Sequence, residues 1–208
     1  MGQDASAARM ENRKQDGSVI RRLSAPLRAL VEALAELHAP GMLIGGLAVI
    51  VHGVSRATRD VGATLLGGER RLEDILVGLG RHGIVPRISD ALEFAAQHQV
   101  LLLRHQPSGI DVDITIAWLP FEIEAVRAAQ IVAVDDVNVP VVRPEDLVIY
   151  KTVAWRPQDQ QDVERLQGAY WATIDLGRVR RVVAEFAEAL DQPERLAEFD
   201  RLADRLGV

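Results

Sequence analysis

The apolar stretch GMLIGGLAVIV at residues 41–51 limits what this chain can fold into. Its 11 residues are too few for a helix that spans a bilayer, which needs about 20 apolar residues. The glycine pair Gly45–Gly46 divides the stretch, so the pattern predicts a short buried strand over 42–44 that turns directly into a brief apolar helix, ended by Gly53. We therefore expect a soluble protein in which strand and helix follow each other closely.

The order of the predicted elements places the chain in the α/β or α+β class. Residues 1–18 are polar and without periodicity, so we expect a disordered or frayed tail. Strands and helices then mix as far as residue 155, whereas residues 156–208 carry helical patterns alone. We predict a core with a mixed sheet over 19–155 and a C-terminal helical subdomain over 156–208.

Composition limits which partners the protein can have and which cellular compartment it can occupy. The 208 residues, 48% of them hydrophobic, suffice for one ordinary core with a helical extension. The chain contains no cysteine, which excludes disulfides and thiolate metal sites, and its N-terminus lacks the apolar region of a signal peptide. We expect a cytoplasmic protein that does not bind membranes. The net charge of −6 argues against a general nucleic-acid coat, although the basic first thirty residues allow a local basic patch.

Asp60 stands at the start of a strand predicted over 60–66. Thirteen residues separate it from Gly46, which leaves room for a short helix and a return strand beside the first. We therefore expect Asp60 to lie next to the glycine turn. At such a turn the unpaired N–H groups and the helix dipole favour an anion, and glycine lets a phosphate approach the backbone. The alternative is a turn with no role beyond the fold.

Two further aspartates, Asp111 and Asp113, lie on one face of the strand predicted over 110–117. Aspartate is disfavoured in strands and is costly when half buried without a partner, so the pair calls for an explanation. If this strand pairs beside that of Asp60, the carboxylates converge and would bind Mg²⁺, which takes oxygen ligands and substrate phosphates. The alternative is a hairpin edge at which water solvates both side chains.

Three blocks of sequence, in this order, resemble the nucleotidyltransferase superfamily of the DNA polymerase β type. The pattern of that superfamily is a Gly-Gly or Gly-Ser turn, an acidic strand and a later carboxylate. A closer resemblance, over about residues 41–167, is to the AbiEii and MenT toxins and their uncharacterised relatives. The blocks that carry it are IGGLAVIVHGVSRATRDVGATL, VDITIAWLPFE and RPEDLVIYKTVAWRPQDQQDVERL.

This resemblance implies a polymerase β-type core and a Mg²⁺-dependent reaction. The reaction is the transfer of a nucleoside monophosphate from a nucleoside triphosphate (NTP) to a hydroxyl. The implied acceptor is the 3′ end of tRNA, as in a toxin, and the implied protein partner is an antitoxin. Small-molecule and protein hydroxyls are the other acceptors within this class.

The resemblance also implies roles for residues of the first two blocks. Gly45 and Gly46 would hold the phosphates of the nucleotide. Asp60 would be the first metal ligand, and Asp113 the later carboxylate, which in polymerase-type chemistry also helps to deprotonate the attacking hydroxyl.

Cationic residues supply the rest of the expected site. Arg56 and Arg59, in the loop before the acidic strand, are candidates for binding the nucleotide phosphates or an RNA backbone, with plain solvation as the alternative. The resemblance puts Lys151 on a helix that faces the triphosphate, and matches Asp159 and Asp162 to a DxxD segment beside the same cleft. Both Lys151 and Asp162 therefore count among the expected catalytic residues. Lys151 is one of two lysines among 24 cationic residues, and lysine is a compact charge suited to phosphate.

Gly62 departs from the family pattern, which has an acidic residue at this position. In two-metal phosphoryl transfer that second carboxylate completes the metal site, so its loss lowers the rate by orders of magnitude. Three explanations are open. The glycine is an inactivating change, natural or introduced; or Asp111, which shares a face with Asp113, replaces the missing ligand; or the chain keeps the fold without catalysis, to bind nucleotide, RNA or a partner protein.

Overall fold

The computed structural model describes residues 2–67, 70–170 and 172–206. The chain divides into two units. The first comprises the residues up to Val51 together with Ser55–Val142, and the second comprises His52–Val54 together with the residues from Arg143 onward.

The first unit is built on one mixed sheet. Its described strands are β1 (Gly41–Ile44), β2 (Val61–Leu66), β3 (Ile84–Pro86), β4 (Val100–His105), β5 (Ile110–Ala117), β6 (Gln130–Val134) and β7 (Val137–Val141). They lie in the order β3-β4-β5-β2-β1-β7-β6. The neighbours β2 and β5 run parallel, as do β1 and β7, whereas the other neighbouring pairs are antiparallel. The predicted α/β class with a mixed sheet is therefore confirmed.

The strand β5 follows the alternation that its sequence predicts. Val112 and Ile114 are fully buried, while Asp111 and Asp113 on the opposite face are half-buried. Apolar residues on one face hold the strand in the sheet, so the two aspartates are fixed on the other face. The structure pairs β5 with β4 as the predicted hairpin and with β2 on its other side.

Five helices accompany the sheet among the described residues of the first unit. They are α1 (Gly2–Glu36), α2 (Gly45–Val51), α3 (Leu72–Arg81), α4 (Ala91–His98) and α5 (Pro120–Arg127). The C-terminal half of α1 buries the apolar residues of the predicted amphipathic helix, Leu23, Leu27 and Leu30 among them. No described helix of the chain combines the length and the apolar character needed to cross a membrane.

Helix α1 begins at Gly2, whereas the sequence predicts a disordered or frayed tail over 1–18, a range whose first residue lies outside the described residues. The structure differs here because a lack of apolar periodicity is not a lack of helix propensity. The segment contains three alanines, two arginines and two glutamines, which are good helix formers. Near the end of this segment, Asp16 accepts a hydrogen bond of 2.7 Å from Oγ of Ser55, which ties the helix to the loop after α2.

The second unit is helical throughout its described elements. They are α6 (Pro144–Ala154), α7 (Pro157–Tyr170), α8 (Leu176–Ala189) and α9 (Glu194–Leu206). The sequence predicts that α6 belongs to the core over 19–155. In the structure α6 packs on α7 and α8 and belongs to the second unit. The predicted subdomain over 156–208 also includes three residues outside the described ranges.

Candidate active site

The turn between β1 and α2 carries the glycine pair of the apolar stretch. Gly45 has a φ of 70°, in the left-handed region that residues with a Cβ disfavour. A Cβ on Gly46 would lie 2.5 Å from Oγ1 of Thr58, closer than real Cβ atoms approach, and 3.0 Å from Cζ of Arg56. The predicted strand-to-helix turn is confirmed, and both of its positions favour glycine.

Asp60 ends the loop that packs against this turn, one residue before β2 begins. The strand therefore starts at Val61, one residue later than the sequence predicts. The Asp60 side chain is exposed, and its Oδ1 accepts a hydrogen bond of 2.9 Å from Oγ1 of Thr58. Because Thr58 also meets Gly46, the expected position of Asp60 next to the glycine turn is confirmed.

Arginines surround the same loop. The guanidinium of Arg22, on α1, donates a hydrogen bond to the backbone carbonyl of Thr58. The guanidinium of Arg56 lies over Gly46, and Nε of Arg56 donates to the carbonyl of Ala57 at 3.1 Å. Arg59 is exposed beside Asp60. The turn and Asp60 thus have arginine side chains beside them, and their positive charges favour an anionic ligand.

Asp113 lies beside position 62, because β5 and β2 are parallel neighbours with Asp113 and Gly62 as register partners. The expectation that the strand with the two aspartates pairs beside the strand of Asp60 is confirmed. Burial raises the pKa of Asp113; the charge of Arg87 opposes that shift, while the charges of Asp60 and Asp111 add to it. Asp60 and Asp111 are therefore both close enough to influence Asp113.

Arg87, which belongs to none of the sequence motifs, forms ion pairs with both strand aspartates. Its Nη1 lies 3.0 Å from Oδ1 of Asp113 and 3.2 Å from Oδ2 of Asp111. The other oxygen of Asp111 accepts a hydrogen bond of 2.8 Å from Nε of Arg104. Both oxygens of Asp111 are thus engaged by arginines, which argues against its replacing the carboxylate missing at Gly62.

Gly62 itself is not required by the backbone. A Cβ at this position would meet its nearest neighbours, Cγ1 and the carbonyl oxygen of Ile44, at 3.6 Å, an ordinary van der Waals distance. The glycine is absent from the positive-φ residues, so a side chain there is not strained by its φ angle. The fold accepts an acidic residue at this position.

The carboxylates suit a magnesium ion bound together with substrate phosphates. They do not by themselves form a complete metal site. Among the described residues, no three acidic or histidine side chains lie close enough together to hold a metal ion. Asp60 and Asp113 remain as a pair of oxygen donors beside the glycine turn. Mg²⁺ is typically held by one or two carboxylates together with substrate phosphates and water, and this pair meets that requirement.

The second unit contains the three predicted site residues of the last sequence block, Lys151, Asp159 and Asp162. The buried Lys151 ammonium lies 2.8 Å from Oδ1 of Asp159 and 3.0 Å from Oδ2 of Asp162. Burial of Asp159 opposes its ionisation, but hydrogen bonds from Lys151 and Arg156 outweigh that burial and lower the pKa of Asp159. The structure thus brings Lys151 together with the DxxD aspartates, and gives its charge two carboxylate partners within the unit.

The chain is similar to known nucleotidyltransferases. The family described as nucleotidyltransferase of unknown function (DUF6036) matches residues 21–202. The solution structure of the antibiotic-resistance factor ANT(2'')-Ia is 21% identical, covers 82% of this chain and 95% of that chain, and has a TM-score of 0.52, which shows the fold. An antigenic nucleotidyltransferase-like protein from Paracoccidioides brasiliensis is 12% identical, with coverages of 86% and 93% and a TM-score of 0.48. No curated protein matches the chain in sequence.

Proposed function

The chain belongs to the DUF6036 family of nucleotidyltransferases of unknown function, and on that premise we propose that it transfers a nucleoside monophosphate from an NTP to a hydroxyl group. The observation that supports this reaction most is the meeting of Gly45–Gly46, Asp60 and Asp113 in the first unit. A turn of backbone N–H groups beside two carboxylates offers contacts for phosphates and for a phosphate-bound cation.

Each part of this arrangement has a role in the proposed reaction. The glycine turn and the arginines beside it, Arg56 and Arg59, would bind the triphosphate. Asp60 and Asp113 would hold Mg²⁺, which, when bound, neutralises phosphate charge and orients the phosphates. Asp113 is also the base: its pKa is raised by burial, and a more basic carboxylate accepts the proton of the attacking hydroxyl more readily.

The 3′ end of tRNA is the acceptor that we propose, as in the AbiEii and MenT toxins that the sequence resembles. Support comes from the charge around Asp60, where Arg22, Arg56 and Arg59 lie in a chain whose net charge is −6. A local positive surface suits a polyanionic acceptor. An antitoxin is the protein partner that accompanies this proposal.

A second candidate function is nucleotide or partner binding without catalysis. Two observations favour it: position 62 has no carboxylate, and Asp113 is paired with Arg87. A chain of this kind would bind nucleotide but release no pyrophosphate.

Transfer of labelled nucleotide tests the proposed function. The protein is incubated with Mg²⁺, each α-labelled ribonucleoside triphosphate in turn, and either deacylated tRNA or tRNA with a blocked 3′ hydroxyl. We expect label in deacylated tRNA alone, with matching pyrophosphate release, and loss of at least about a hundredfold in Asp60→Asn and Asp113→Asn. Asp74→Asn is the matched control, because Asp74 is exposed and pairs with Arg71. Nucleotide binding without label in RNA, protein or small hydroxyl compounds would support the second candidate.

A further inference from the structure

Arg87 lies in a row of residues that crosses the sheet. Its backbone N–H donates to the carbonyl of Leu102 at 3.1 Å, directly beyond the end of β3. Leu102 is the register partner of Asp113 on β5, and Asp113 is the register partner of Gly62 on β2. Register partners in a sheet carry their side chains on the same face. The guanidinium of Arg87 therefore reaches across one strand to the carboxylate beside Gly62.

Among the described residues, two arginines form ion pairs with Asp111, and of these two Arg87 also pairs with Asp113, by charge and without a hydrogen bond to the buried Oδ1 of Asp113. Arg104 contacts Asp111 as a half-exposed partner on the adjacent strand, with 50% of its side chain accessible. The Arg87 side chain is 22% accessible, and its Nη1 lies within 3.2 Å of both carboxylates. A cation shared between two carboxylates in a partly buried position interacts with them more strongly than an exposed surface pair does. Arg87 is thus the charge partner of Asp113, and Arg104 is a natural comparison.

We infer that Arg87 is a resident counter-ion of the active site, which occupies Asp113 and competes there with a divalent cation. In a site with a carboxylate at position 62, an additional negative charge would draw a metal ion to this row. Here Gly62 supplies no such charge, and Arg87 already balances the charge of Asp113. The protein alone then holds a divalent ion weakly, and the ion enters with the triphosphate, whose phosphates complete its ligands.

This inference rests on the proposed function for the role of Asp113, but it concerns metal binding and not transfer. A purely structural ion pair would behave differently from a competing one. Loss of a structural arginine lowers stability and leaves metal affinity unchanged or weaker. Loss of a competing arginine raises the affinity of the nearby carboxylates for a divalent cation, because a positive charge about 3 Å from the ligand oxygen is gone.

Binding of Mn²⁺ without nucleotide, followed by electron paramagnetic resonance, separates these cases. We expect R87Q to bind Mn²⁺ about tenfold more tightly than the wild type, and R104Q to bind it as the wild type does. The double variant R87Q/D113N should lose the gain, which would locate the ion at Asp113. R87M keeps an apolar stem and removes the guanidinium, and is expected to show the same gain should R87Q fold poorly.

The inference would be overturned if R87Q and R87M bound Mn²⁺ no more tightly than the wild type does. It would also be overturned if R104Q gained as much Mn²⁺ affinity as R87Q. The result is independent of nucleotide transfer. If R87Q shows the gain in Mn²⁺ affinity but the protein transfers no nucleotide, this inference holds and the proposed function is wrong. If the protein transfers nucleotide but R87Q shows no gain, the proposed function holds and this inference is wrong.

Discussion

Gly62 on β2 and Asp113 on β5 are register partners, and a Cβ at position 62 would meet its nearest neighbour at 3.6 Å. A side chain at position 62 would therefore stand beside Asp113 on the same face of the sheet without displacing the backbone. Neither space nor backbone conformation excludes the carboxylate that the sequence resemblance leads us to expect at this position. This relationship makes the altered site open to a direct test.

The first prediction concerns Gly62→Asp. The new carboxylate would join Asp60 and Asp113 as oxygen donors, so we expect tighter binding of Mg²⁺ and nucleotide transfer at least about tenfold faster than that of the wild type. Transfer of labelled nucleotide to tRNA measures the rate. Gly62→Asn is the control, because it has nearly the same shape and no charge, and should stay near the wild-type rate. Equal rates in the Asp and Asn variants would mean that the charge at position 62 is irrelevant.

Much of the site could be predicted because its elements leave local signals. The glycine pair within an apolar stretch marks the turn, and Gly45 does adopt a positive φ. The alternation around Asp111 and Asp113 marks a strand with one polar face. Their adjacency to Asp60 follows once that strand pairs with the strand after Asp60, a pairing that the structure confirms.

Other features depend on contacts between distant parts of the chain, which no local pattern encodes. Arg87 reaches Asp113 only because β3, β4 and β5 are neighbours in a particular register. The resemblance implies a triphosphate contact for Lys151. The carboxylates that lie beside its buried ammonium, those of Asp159 and Asp162, depend on how α6 packs on α7. The helical start of α1 reflects propensity without apolar periodicity.

The second prediction concerns the glycine turn. Gly46→Ala would bring a Cβ within 2.5 Å of Thr58 Oγ1, which also holds Asp60, so the loop must shift. We expect a loss of roughly 1 to 3 kcal/mol in unfolding free energy, typical of overpacking, together with a marked loss of nucleotide binding. Gly80→Ala is the matched control, because nothing lies within 4 Å of a Cβ there. Urea unfolding and nucleotide titration measure the two effects; a Gly46→Ala protein as stable as Gly80→Ala would contradict the close approach.

The third prediction separates two roles for Lys151. Lys151→Met removes the ammonium from two buried carboxylates, Asp159 and Asp162, and breaking a buried ion pair costs roughly 3 to 5 kcal/mol. We therefore expect a large fall in the midpoint of thermal unfolding. Arg181→Met, which removes an exposed cation from α8, should leave the midpoint nearly unchanged. An unchanged midpoint in Lys151→Met, combined with lost nucleotide transfer, would instead support the predicted contact with the triphosphate.

The last prediction follows from the burial of His105 at the end of β4. Burial lowers the pKa of this imidazole below its ordinary value of 6.5. Below pH 6.5 the unfolded chain therefore binds a proton at His105 before the folded protein does, and the free energy of unfolding falls as the pH falls toward the folded-state pKa. The contribution is complete above pH 6.5, and its slope is at most about 1.4 kcal/mol per pH unit, the limit for one proton. Urea unfolding from about pH 8 to about pH 5 should show a shallower pH dependence in His105→Gln than in the wild type. Parallel curves for His105→Gln and the wild type would mean that the folded and unfolded states bind the His105 proton alike.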